Sequence, residues 1–82
     1  MEDITRKFQA IDSKAEMRAI VNEVYLALKV KGYNPINQLV GYITSGDPTY
    51  ITNYNGARGL ISRVDKDELL HELLICYLGK EE

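Results

Sequence analysis

Apolar residues recur along this chain at intervals of three and four, and no stretch alternates with a period of two for long enough to make a strand. The first long series, Met17, Ile20, Val21, Val24 and Leu28, predicts a helix from about Lys14 to Lys31. Ser13, with Glu16 three residues later, has the form of a capping box at its start, and Gly32 can take the left-handed conformation that stops it. A second series, Ile36, Leu39, Val40 and Ile43, predicts a helix from about Pro35 to Thr44, ended by Gly46. Asn34 before Pro35 and Asp47 before Pro48 each set a capping side chain ahead of a proline. Proline suits the first helical position because its missing N–H needs no partner there. A short helical turn from about Pro48 to Thr52 follows from the second pair.

Residues 52–55 read as a loop, and Asn55 can cap a further helix from Gly56 to about Arg63 that turns Leu60, Ile61 and Val64 inward. Gly56 and Gly59 lower the helix propensity of that segment. Asp65 and Glu68 repeat the cap-plus-three pattern ahead of Leu69, Leu70, Leu73, Leu74, Tyr77 and Leu78, a strongly apolar last helix that stops at Gly79. Residues 1–12 hold only Ile4, Phe8 and Ile11 among mixed charge and are expected to form a mobile arm. The expected fold class is all-α: a compact bundle of about four to five short helices over residues 13–82, with a flexible N-terminal arm over 1–12. A homodimer is expected as well. The apolar positions of the last helix, Cys76 included, sweep roughly 200°, about twice the stripe that one core needs. The first helix has a second apolar line, Ala15, Ala19, Leu26 and Val30, opposite its main one.

Composition narrows the function. With 82 residues, 45% hydrophobic and 27% charged, the chain has the make-up of a single small folding domain, one that a partner subunit would help to stabilise. A net charge of −2 gives no global attraction to nucleic acid or to an anionic membrane. No run approaches the ~20 apolar residues of a membrane span and no secretory leader is visible, so a cytoplasmic protein is expected; the lone Cys76 allows no internal disulfide.

No constellation for catalysis, cofactor binding or metal ligation emerges. His71 has no partner at zinc-ligand spacing, and Cys76, with nothing nearby to lower its pKa, is expected to be a small buried hydrophobe. Ser45, Gly46 and Asp47 lack the order of a nucleophile elbow and are accounted for by turn and cap formation. Gly41, Gly46, Gly56 and Gly59 fit no phosphate-binding loop. Arg58, Arg63 and Lys66 form a thin basic strip, a candidate anion or partner contact that local acids such as Asp65 and Asp67 can equally neutralise. Tyr33, Tyr42, Tyr50 and Tyr54 crowd the centre of the chain, where rings can be buried while hydroxyls reach backbone or water. Thr5, in an accessible segment, is a candidate phosphorylation site.

The run from Lys31 to Tyr50, Lys-Gly-Tyr-Asn-Pro-Ile-Asn-Gln-Leu-Val-Gly-Tyr-Ile-Thr-Ser-Gly-Asp-Pro-Thr-Tyr, resembles the IreB family of small regulatory phosphoproteins of Gram-positive bacteria. So do Ala57 and Arg58, the Asp67, Glu68, Leu69 run, and the leucine-rich end. The resemblance implies a non-enzymatic helical dimer whose N-terminal arm is phosphorylated on threonine by a membrane-anchored Ser/Thr kinase with extracellular PASTA domains and dephosphorylated by an opposing phosphatase. It also implies a role in cell-envelope stress signalling exerted through a further protein. The kinase-target pattern falls on Asp3, Thr5 and Phe8; where some members carry a second threonine, this chain has Glu2. The family's basic run is thinned here by Gly59 and Lys66. A competing reading is a helix-turn-helix DNA-binding protein, from the two helices flanking Ser45, Gly46 and Asp47; the lack of Lys and Arg between Asn34 and Asn55 counts against it.

Overall fold

A computed structural model of the chain describes the backbone of residues 2–80 and the side chains of residues 14–80. Four α-helices, α1 (Glu2–Val30), α2 (Pro35–Ser45), α3 (Ala57–Ile61) and α4 (Lys66–Leu78), are joined by two 3₁₀ turns, Pro48–Tyr50 and Tyr54–Gly56. The described residues contain no strand, in keeping with the all-α expectation. α1 is the spine against which α2, α3 and the second 3₁₀ turn pack. Its buried residues are Ile20, Val24, Ala27 and Leu28, with Met17 and Val21 at the margin, the stripe that the spacing predicts. Ile51, Ile61 and Val24 are fully enclosed, and Leu39, Tyr42, Ala57, Val64 and Leu69 complete the core.

The start of α1 differs from the expectation. The backbone is helical from Glu2, so Ser13 lies inside the helix and is not its N-cap. Between Met1 and Gly32 there is neither proline nor glycine to interrupt a helix, and Ile4, Phe8, Ile11 and Ala15 keep helical spacing, so nothing local forces a start at Ser13. The side chains of residues 1–13, Thr5 among them, and the mobility expected for the arm lie outside what is described.

The other helix ends follow the local chemistry. At Gly32 (φ 87°) the Tyr33 N–H donates to the Leu28 carbonyl at 3.0 Å and the Gly32 N–H to that of Lys29 at 3.0 Å, the paired bonds of a Schellman stop. The Asn37 N–H donates to Asn34 Oδ1 at 3.1 Å, so Asn34 caps α2 ahead of Pro35. Gly46 (φ 75°) ends that helix, its N–H donating to the Tyr42 carbonyl at 2.7 Å. Asp47 then receives both the N–H (3.0 Å) and the hydroxyl (2.8 Å) of Thr49, which turns the chain through Pro48. Asp65 caps α4 by accepting from the Asp67 N–H at 2.8 Å, and Gly79 closes it with a bond to the Ile75 carbonyl at 2.9 Å.

Asn55 does not act as the expected cap. It adopts φ 56°, ψ 27°, and Gly56 follows at φ 70°, so two successive left-handed residues reverse the chain and α3 begins at Ala57 with no side-chain cap. Asparagine tolerates this region better than most residues, and the reversal needs that tolerance more than a cap. Inward placement of Leu60, Ile61 and Val64 is nonetheless as the pattern predicts.

Candidate functional site

The last helix is where sequence and packing diverge most. α4 starts on the Asp65 cap with Asp67 and Glu68 in its first turn, where negative charge is favoured by the helix dipole. Of its apolar residues only Leu69 is buried, at 5% exposure. Leu70, Leu73, Leu74 and Leu78 are about half exposed or more, and Tyr77 is 88% exposed. A helix held to its own domain by one buried leucine leaves an apolar face far larger than scattered surface leucines would make. The surplus apolar surface read from the pattern is therefore present on the single chain. The second line on α1 is exposed as well, at Ala15, Ala19, Leu26 and Val30.

Between α1 and α4 runs an open groove of about 570 Å³, with Met17, Val21, Ala19, Leu73 and Cys76 among its walls. Lys14 Nζ and a Glu72 carboxylate oxygen pair across it at 3.3 Å. Cys76 is exposed on this groove, contrary to the expectation of a buried thiol. The reason is that α4 stands partly off α1, so its flank faces open space where a close-packed pair of helices would cover it. His71 is exposed on the neighbouring surface, beside a smaller depression lined by Lys14, Met17, Asp67, Glu68 and Glu72.

The basic strip is drawn into structural contacts, each residue with a different partner. Arg58 Nε donates to the carbonyl of the fully buried Ile51 at 2.9 Å. Arg63 pairs with Glu16 on α1 at 2.5 Å, both side chains being more than half exposed. Lys66 Nζ sits 5.4 Å from the centroid of the Tyr42 ring. Asp47 is held below the usual carboxylate range, first by the Thr49 N–H, then by the Thr49 hydroxyl, with a smaller contribution from Arg58.

The tyrosines divide between core and surface. Tyr42 is buried, while Tyr33, Tyr50 and Tyr54 remain partly exposed, and Lys31 lies 5.5 Å from the Tyr54 ring. Two contacts had no clear sequence signal. Gln38 Nε2 donates to the Tyr50 carbonyl at 2.8 Å, and the Tyr50 ring lies directly on Gly41. A glycine in the middle of an otherwise well-formed helix was the one available hint of that close approach.

A family model described as the IreB regulatory phosphoprotein matches residues 3–79. The chain belongs to this family. The match runs from Asp3 through Thr5 and across all four helices, so it takes in the candidate phosphorylation site, the capped α2 hairpin and the exposed α4 face together. The IreB family is one of regulatory phosphoproteins, and a regulatory role is accordingly the frame in which the exposed face of α4 is read. Among the described residues no group of three or more His, Cys, Asp or Glu could hold a metal ion, and no helix is long and apolar enough to cross a membrane.

Proposed function

We propose that this chain is a cytoplasmic regulatory phosphoprotein, phosphorylated on Thr5 by a membrane-anchored Ser/Thr kinase in cell-envelope stress signalling and acting through protein contacts as a homodimer. The observation that carries this reading is the family match over residues 3–79, which includes Thr5 with Asp3 two residues before it and Phe8 three after it.

The physical account follows from where Thr5 stands. A kinase takes its target in extended form, and Thr5 lies in the first turn or two of α1, where the leading N–H groups have no intrahelical partners and unwinding costs least. Phosphorylation adds about −1.5 to −2 charge and three strong acceptor oxygens, partly offset by Arg6 and Lys7. Residues 20–69, which build the core, are tied by their own caps and packing, so the phosphate changes what the N-terminal segment offers to another protein and leaves the fold alone. The phosphorylated segment does not dock on the core, because Arg58, Arg63 and Lys66 are already engaged elsewhere. An opposing phosphatase resets the state.

Incubation of the full chain with the cognate kinase, followed by phosphosite mapping, tests the reading. Label on the wild type and its loss in Thr5→Ala are expected; equal labelling of both proteins removes Thr5 from the mechanism. The helix-turn-helix alternative is disfavoured because α2 carries no Lys or Arg to meet a phosphate backbone. A salt-dependent shift of mixed DNA fragments would revive it.

A further inference from the structure

We infer that Asn55 is a latent deamidation site: the native turn holds it unreactive, opening of the turn lets it convert to aspartate or isoaspartate, and the isoaspartate form cannot rebuild the turn. The inference is independent of Thr5 and of the homodimer reading. Of the five asparagines in the chain, Asn55 alone precedes a glycine; the others precede glutamate, proline, glutamine and tyrosine. Asparagine is a thermolabile residue, and its deamidation begins when the backbone nitrogen of the next residue attacks the side-chain carbonyl carbon. A glycine leaves that nitrogen unshielded. Here the fold demands the glycine. Gly56 stands at φ 70° directly after Asn55 at φ 56°, and nothing lies within 4 Å of where a Cβ at position 56 would be, so it is the left-handed backbone and not lack of space that requires it.

In the reaction the Gly56 nitrogen gives up its proton and bonds to Asn55 Cγ, the Cγ to Nδ2 bond breaks, and Nδ2 leaves with that proton as ammonia. Water then opens the cyclic imide. Opening at Cγ yields aspartate; opening at the main-chain carbonyl yields isoaspartate, whose backbone runs through Cβ and Cγ and is longer by one methylene. Ring closure requires the Gly56 nitrogen to come round to Cβ about the Asn55 Cα–C bond. At ψ 27° it nearly eclipses the Asn55 nitrogen instead, on a different side of that bond from Cβ. The attacking group is also occupied, since the Gly56 N–H donates to the Asn53 carbonyl at 3.1 Å. Neighbouring bonds hold this geometry: the Ala57 N–H donates to the Tyr54 carbonyl, the Tyr54 N–H to Thr52 Oγ1 at 3.2 Å, and Arg58 Nε to the Ile51 carbonyl at 2.9 Å. Residues 53–56 are all exposed, so the turn can open without dismantling the core. The core itself is less forgiving. Ile51 and Ala57 are enclosed on either side of the turn, and a chain lengthened between them must displace the start of α3.

Peptide mapping by mass spectrometry tests this on the full chain, incubated for equal times at mildly alkaline pH with and without guanidinium chloride. In denaturant Asn55 should convert ahead of the other four asparagines and give both products. In the native protein it should convert at least about tenfold more slowly, the factor that an opening free energy of about 1.4 kcal/mol supplies. The isoaspartate form, separated by chromatography, should unfold at lower denaturant than Asn55→Asp, which stands for the other product and keeps a residue that tolerates the left-handed region. Equal rates with and without denaturant overturn the protection by the turn. No preferential conversion of Asn55 in denaturant overturns the site, and an isoaspartate form as stable as Asn55→Asp overturns the block to rebuilding.

Discussion

Gly41→Ala isolates the contact that holds the α2 hairpin closed. A Cβ at Gly41 would lie 2.5 Å from Cε1, 2.6 Å from Cδ1 and 2.9 Å from Cζ of Tyr50. The ring cannot easily shift as a unit, because the Tyr50 carbonyl accepts from Gln38 and its N–H donates to the Asp47 carbonyl at 3.2 Å, which pins the backbone. Two opposing effects then meet. Alanine in the middle of a helix is favoured over glycine by about 0.5–1 kcal/mol, whereas overpacking costs typically about 1–3 kcal/mol. The steric effect wins, and Gly41→Ala should destabilise the protein by about 0.5–2 kcal/mol. In Tyr50→Ala the ring is gone and only the helix propensity remains. There the same substitution should stabilise by about 0.5–1 kcal/mol. Urea unfolding of wild type, both single variants and the double variant, at one fixed protein concentration because the proposed dimer would make stability depend on it, closes the cycle. Equal stabilisation by Gly41→Ala in both backgrounds would show that the ring is not packed on the glycine.

Further consequences can be checked individually. Asn34→Ala should cost about 0.5–2 kcal/mol through loss of the bond to the Asn37 N–H, while Asn34→Ser retains most of it; a neutral alanine variant would contradict the cap. Arg58→Ala should cost about 1–3 kcal/mol in urea unfolding because it strips the Ile51 carbonyl of its Nε donor, whereas Arg63→Ala, breaking an exposed pair with Glu16, should cost no more than about 1 kcal/mol and lose even that in high salt. Asp47 titrates below its ordinary value of 3.8, so the stability it confers is fully present above that value and disappears as pH falls through the lower folded value. Carboxyl-detected NMR should show the depressed titration in wild type and a partial return in Thr49→Val, which removes the hydroxyl donor and keeps the N–H; an ordinary titration in the wild type would contradict the cap.

Legibility from the sequence tracked how local the cause was. The stops at Gly32, Gly46 and Gly79 and the caps at Asn34, Asp47 and Asp65 each depend on a few adjacent residues, and all could be read directly from them. The start of α1 could not, because Ser13 and Glu16 make a capping pattern that is also compatible with a helix interior, and no proline or glycine upstream chooses between the two. Asn55 failed for a related reason: asparagine serves both as a cap and as a left-handed turn residue, and the tertiary reversal between Ile51 and Ala57 decides which. At the candidate site, periodicity revealed too much apolar surface on α4 but not which leucine the core would claim. Leu69 alone is buried, and Cys76, on the same flank, looks onto a groove. The partners of Arg58, Arg63 and Lys66 lie 7, 47 and 24 residues away in sequence, distances over which charge counting has no reach.

Phosphate on Thr5 is proposed to alter what the N-terminal segment presents while the helical core and the proposed dimer stay as they are. Amide correlation spectra of the full chain, bare and phosphorylated on Thr5, test it most directly. Shifts confined to roughly the first dozen residues and the adjoining turn of α1 are expected, with α2, α3 and α4 unmoved and the sedimenting mass unchanged. Large shifts from Arg58 to Lys66, or a change of mass on phosphorylation, would contradict it, because the phosphate would then be docking on the core or acting through the dimer.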